Sequence, residues 1–119
     1  MKIAVTAKGK DINSEVDPRF GRAAYILIID SETLELEAVN NSDNANAFKG
    51  AGIQAASMIS NKKAKVLLTG FCGPKAFDVL KAAKIKVADN ISGVVKDAVL
   101  KFNNGEVKFA DSANAQEHW

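Results

Sequence analysis

Hydrophobic positions along this chain alternate between two rhythms, and the switch points mark its elements. Residues 2–6 read as a first strand. Residues 25–29, Tyr-Ile-Leu-Ile-Ile, are a continuous apolar run, the pattern of a strand covered on both faces. Residues 34–39 alternate apolar with acidic, as a hairpin partner with one wet face does. Glu35 and Glu37 stand where edge-protecting charges belong. The period then lengthens. A helix is expected from about Phe48 to Ser60, with Ile53, Ala56 and Ile59 as its inward stripe. Residues 65–69 make the next strand, and Ala76, Phe77, Leu80 and Ala83 the apolar face of a second helix from Pro74. A short strand at 85–87 follows. Ser92 can N-cap a last helix whose Val95, Ala98, Val99 and Phe102 face inward, ending at Asn103-Asn104-Gly105. A tail, 103–119, holds one strand-like piece at 107–109 and ends in His118 and Trp119.

The order is three strands, then helix, strand, helix, strand, helix. Helix crossovers imply a mostly parallel α/β sheet, and the hairpin adds an antiparallel strand. No repeat or linker interrupts residues 1–119, so a single domain is expected. Ligands of such open sheets bind beyond the carboxyl ends of the strands. Three polar loops could gather there: 7–23, 40–52 and 70–75.

The most telling stretch is Gly70-Phe71-Cys72-Gly73-Pro74-Lys75. A strand ends in a tight turn and a helix starts at Pro74, whose missing N–H costs nothing in a first turn. Backbone N–H groups and a partial positive charge there favour an anion. Lys75 adds charge and Phe71 an apolar wall. Cys72 has three readings: a buried small hydrophobe, a ligand, or a nucleophile. Its place at a helix start beside Lys75 predicts a lowered pKa.

Asp17-Pro18-Arg19-Phe20-Gly21-Arg22 is the second motif. Two arginines beside an aromatic, on a turn stiffened by Pro18, suit an anion with an apolar or polarisable surface. Alternatively, Asp17 pairs with one arginine and the loop only caps the sheet. Gly50-Ala51-Gly52 opens the first helix, and close helix packing explains it almost as well as phosphate binding. A dinucleotide fingerprint would need a third glycine where Ala55 stands.

Composition narrows the chemistry. One cysteine and one histidine exclude the usual structural zinc and four-cysteine iron–sulfur sites. A metal species held here must bring most of its own ligands. A lone cysteine also points to a reducing cytoplasm. No apolar run approaches a membrane span, and the N-terminus reads as strand rather than signal peptide. The net charge of +2 hides asymmetry: residues 23–48 carry five acids and no Lys or Arg, while 60–86 carry seven lysines and one acid, Asp78. Nucleic acid is not indicated, because Phe77 and Phe102 fall on core periodicity instead of a stacking face. No carboxylate cluster converges as a two-metal nuclease requires.

Three stretches together resemble the dinitrogenase iron–molybdenum cofactor biosynthesis accessory domain family. They are Ser14-Glu15-Val16-Asp17-Pro18-Arg19-Phe20-Gly21-Arg22, then Gly50-Ala51-Gly52-Ile53-Gln54-Ala55-Ala56, then Thr69-Gly70 with Gly73-Pro74 and Ala76-Phe77. The resemblance runs from Met1 to about Phe102. It implies a ribonuclease-H-like α/β/α fold with a mixed sheet, and a protein that binds or carries a molybdenum- or iron–sulfur-containing cluster and is not an enzyme. Within the family, the Gly70-Phe71-Cys72-Gly73-Pro74 turn and the short stand-alone length imply a non-covalently held molybdenum–copper sulfide cluster. Such a cluster supplies its own sulfides and is anionic. Arg19, Arg22, Lys75 and the helix-start amides would meet its charge, with Gly50, Ala51, Gly52, Gly73 and Pro74 at the helix starts among the cofactor-binding residues. Phe20 and Phe71 would wall it, Gly21 would let the arginine turn close, and Cys72 could touch copper. A protein partner that receives the cluster is also implied. The alternative is a small anion- or nucleotide-binding regulatory module. A redox enzyme using Cys72 is a more distant one.

Overall fold

The computed structural model describes residues 1–47 and 49–114. Among them, five strands lie in one sheet: β1 (Lys2–Ala7), β2 (Tyr25–Asp30), β3 (Leu36–Asn40), β4 (Val66–Leu68) and β5 (Lys86–Ala88), in the order β3-β2-β1-β4-β5. β1, β4 and β5 pair in parallel. β2 runs antiparallel to both β1 and β3. Four strands therefore point one way and β2 alone points back. A tight turn joins β2 to β3 and permits only antiparallel neighbours, whereas helices carry the parallel crossovers.

Strand alternation divides the apolar residues between two cores. Ala4, Ile26, Ile28, Leu67 and Val87 face α2 (Ala51–Asn61) and α3 (Pro74–Ala82). Ile3, Val5, Leu27, Ile29, Val66 and Leu68 face α4 (Val95–Asn103). The result is a three-layer α/β/α sandwich, ribonuclease-H-like in its strand order and its reversed second strand. Each fully buried Ile or Leu contributes about 1.5–3 kcal/mol, and Ile3, Ile26, Leu27, Ile29, Ile59, Leu67, Leu68 and Leu80 are all in that state.

Several local expectations shift. The asparagine-rich loop contains a short helix, α1 (Ser42–Ala45), before α2. The expected helix start at Phe48 lies outside the described residues, as do His118 and Trp119. α2 begins at Ala51 behind Gly50, which sits in the left-handed region at φ 81. It buries Ala51, Ala55, Ala56 and Ile59, and leaves Ile53 exposed. The rotation follows from Gly52, which must lie against Ala76 of α3: a Cβ there would sit 2.9 Å from the Ala76 Cβ. Ala83 falls just past α3 and is exposed. Ser92 does not cap α4; Val94 holds that position. Backbone carbonyls of the 7–23 loop cap it instead. The Val95 N–H donates to Ser14 and the Lys96 N–H to Ile12, both at 2.9 Å. Phe102 packs on the α4-side core as expected. On the β3 edge, Glu37 holds the Lys62 ammonium at 2.6 Å.

Candidate functional site

The three polar loops meet at one end of the sheet. Thr6 and Thr69, at the ends of the parallel neighbours β1 and β4, share a buried hydroxyl–hydroxyl bond at 2.8 Å. The Thr6 hydroxyl also binds the Asp17 carbonyl at 2.6 Å, and the Asp17 N–H donates back to the Thr6 carbonyl at 2.9 Å. From that anchor, residues 18–20 lie beside the 70–72 turn as a short parallel bridge. The Phe71 N–H donates to Pro18 at 2.6 Å and the Phe20 N–H donates to Phe71 at 3.0 Å. Gly70 makes this approach possible: a Cβ there would meet Pro18 backbone at 2.7 Å. The arginine motif and the Gly-Phe-Cys-Gly turn are thus zipped together.

The 40–52 loop is tied to the same arginine loop. Asn41 is buried and its Nδ2 donates to the Gly21 and Ala23 carbonyls at 3.0 and 2.9 Å. Asn44 Nδ2 donates to the Ala51 carbonyl at 2.8 Å. The Arg22 guanidinium donates to the Ala45 and Ala47 carbonyls, each at 3.1 Å. Gly21, at φ +93, presses on Gly52 so closely that a Cβ would lie 2.7 Å from its backbone. Gly21, Gly52 and Ala76 therefore stack loop, α2 and α3 in sequence. Gly52 is taken up by this packing against Gly21 and Ala76.

The arginines divide their labour. Arg22 staples the 40–52 loop. Arg19 keeps half its side chain in solvent, with Nε 3.5 Å from the buried Asp17 carboxylate. That pair matches the bland expectation for the loop, yet it leaves the guanidinium facing outward. A cleft of about 330 Å³ beside it is lined by Lys8, Asp17, Pro18, Arg19 and Ala24. Lys75 is exposed on the first turn of α3, and Gly73 and Pro74 take the N-cap and first helical positions. Phe71 is half-buried at the turn. Phe20, expected as an apolar wall, is core at 1% exposure.

Cys72 departs furthest from expectation. It is 1% exposed, within the α2/α3-side core. Burial, and secondarily the Asp89 charge, push its thiol up to about 12. The expected lowering by the helix start and Lys75 is overturned, because the desolvation cost of a buried thiolate outweighs a partial dipole charge. Its Sγ lies 3.7 Å from the Gly73 carbonyl. Above it sits Asn114, a residue that the sequence patterns do not single out. Among the described residues, no group of three or more His, Cys, Asp or Glu could hold a bare metal ion.

This fold and this end of the sheet define a class. Residues 1–105 match the family model described as dinitrogenase iron-molybdenum cofactor, and the chain belongs to that family. It is similar to the apo form of the orange protein (ORP) from Desulfovibrio gigas, at 45% identity over 96% of each chain, with a TM-score of 0.92. It is also similar to TM1290 from Thermotoga, which carries a NifB designation: 32% identity, 96% of this chain and 98% of that one, TM-score 0.80. PH0822 shares 26% identity over 93% and 96% of the two chains, with a TM-score of 0.75. No curated protein matches. Family and orange-protein likeness point to a cofactor-binding or carrier protein. Among the described residues, no helix is long and apolar enough to cross a membrane.

Proposed function

We propose that this protein binds an anionic metal–sulfide cluster of the molybdenum–copper type, without covalent attachment, and carries it to a protein recipient instead of catalysing a reaction. Other molybdenum- or iron–sulfur clusters are the nearest variants. Residues 1–119 act as one domain in this reading, in a reducing cytoplasm. The observation that carries it is the backbone pairing of Arg19 with Phe71. It fixes a half-exposed guanidinium beside the turn that opens α3, in a chain 45% identical to the orange protein.

The residues take distinct parts. Arg19, Lys75 and the Gly73–Pro74 start of α3 face the cluster. Phe71 supplies the soft wall. Arg22, Phe20, Gly21, Gly50, Ala51 and Gly52 hold the loops in register and act on the cluster only through that framework. Cys72 stays in reserve: a thiolate suits Cu(I), but this thiol must first be uncovered. Titrating the apo protein with tetrathiomolybdate and copper, while recording visible absorbance, tests the proposal. Stoichiometric growth of charge-transfer bands that survive gel filtration supports it. Metals that elute apart from a colourless protein refute it.

A further inference from the structure

We propose that residues 109–114 form a latch on this site, with Asn114 holding the 70–72 turn closed over Cys72 until the anionic cargo displaces it. The inference rests on the cluster-carrier reading above for the identity of what displaces the latch.

Its path is explicit. Beyond α4 the chain returns along the outer edge of β5. Phe109 bridges Ala88, the Ala110 N–H donates to the Val87 carbonyl at 2.7 Å, and the Lys86 ammonium lies 5.3 Å from the Phe109 ring centroid. Ala110 and Ala113 pack on the core cluster that contains Cys72. Asn114 then makes three bonds to the turn. The Cys72 N–H donates to its Oδ1 at 2.9 Å, its Nδ2 donates to the Gly70 carbonyl at 3.0 Å, and its own N–H donates to the Cys72 carbonyl at 3.2 Å. One carboxamide thus satisfies a donor and an acceptor of the very turn that α3 starts from.

The hold is built to give way. Phe109, Asp111 and Ser112 are exposed, and Ala110 and Ala113, both partly buried, make the segment's contacts with the core cluster. Segments with little buried apolar area open at low free energy. The Oδ1 atom occupies the acceptor position at the Cys72 N–H. An anionic acceptor competes well for it, because charge-assisted bonds are about twice as strong as neutral ones. With the latch off, the turn is held by its bonds to Pro18, Phe20 and Asn90, and its opening exposes Cys72 more often.

The test uses the full chain in three forms: wild type, Asn114→Ala, and Ser112→Ala as an exposed change on the same segment. Cys72 is the only thiol, so its trapping by iodoacetamide in the apo protein reads latch opening directly. Loss of the two side-chain bonds should speed trapping roughly tenfold to thirtyfold in Asn114→Ala, with Ser112→Ala within about twofold of wild type. Uptake of tetrathiomolybdate with copper should accelerate in parallel. Equal trapping rates in natively folded Asn114→Ala and wild type overturn the latch and leave the cluster reading standing. Faster trapping with no cluster uptake by any form keeps the latch and overturns the cluster reading. Should Asn114→Ala lose its native circular dichroism, Asn114→Gln, whose longer side chain overshoots both partners, is held to the same criterion.

Discussion

Arg19 and Phe71, 52 positions apart, are joined backbone to backbone. The Phe71 N–H reaches Pro18 at 2.6 Å and the Phe20 N–H reaches the Phe71 carbonyl at 3.0 Å. This bridge makes one surface of two motifs that are remote in sequence. It sets Arg19 outward by the α3 turn, while Arg22 turns back to the 40–52 loop.

The two arginines should therefore separate experimentally. Arg19→Gln removes a half-exposed charge whose ion pair contributes at most about 1 kcal/mol to folding. Its unfolding midpoint should barely move, while tetrathiomolybdate–copper affinity falls about tenfold, with a weaker salt dependence than wild type. Arg22→Gln should do the reverse in folding, costing about 1–3 kcal/mol because it strands the Ala45 and Ala47 carbonyls. Denaturant titration and a two-salt affinity series of each variant check this.

Glycine contacts give a stability prediction. Gly70→Ala would place a methyl 2.7 Å from Pro18 backbone, which cannot yield as a flexible side chain can. Gly21→Ala adds a φ of +93 to a 2.7 Å clash with Gly52 backbone. Each should cost about 1–3 kcal/mol. Gly105→Ala, strained at φ +73 but in open space, should cost less than Gly21→Ala. Chemical unfolding of the three variants ranks them.

Cys72 predicts an alkaline instability. Its folded pKa, raised to about 12, lies above its ordinary value, so the native state holds a proton that the unfolded chain releases. The associated stability is complete below about pH 8.5 and falls as pH rises toward 12. Between pH 8 and 10 the loss should reach about 1–2 kcal/mol in wild type. Cys72→Ala should lack that component, and the difference between the two stability–pH curves measures it.

Asn41 should prove as important as any motif residue. Its buried carboxamide serves the Gly21 and Ala23 carbonyls at once. Asn41→Asp withdraws both donations and buries a carboxylate against carbonyl oxygens. A loss of about 2–4 kcal/mol is expected, together with faster amide exchange in residues 41–47 and slower cluster uptake. Hydrogen exchange with mass spectrometry resolves it.

Much of this fold was readable because it is written in local periodicity. The unbroken apolar run of β2, the strand-to-helix turn at Gly70 and the Pro74 start need only neighbouring residues to define them. The lysine-rich and acid-rich stretches were equally visible. Local rules misread α2 and α4 where partners were distant. Gly52 turned α2 to meet Ala76, and the carbonyls of Ile12 and Ser14 replaced Ser92 as the cap.

The sequence by itself determined a mostly parallel α/β sheet with an antiparallel hairpin and the end of the sheet where the loops gather, because helix crossovers and a short hairpin turn leave few other packings. That β2 is the strand that points back is seen only in the structure. Only the tertiary structure decided which motif residues face outward. Arg22 and Phe20 are drawn inward by carbonyls and core that lie far along the chain, and Arg19 is left in solvent. Cys72 became a buried, high-pKa thiol because the sheet packs α3 over it and Asn114, 42 residues away, closes the turn above it. Desolvation and long-range hydrogen bonds depend on what the closed fold brings near, and no local pattern carries that information.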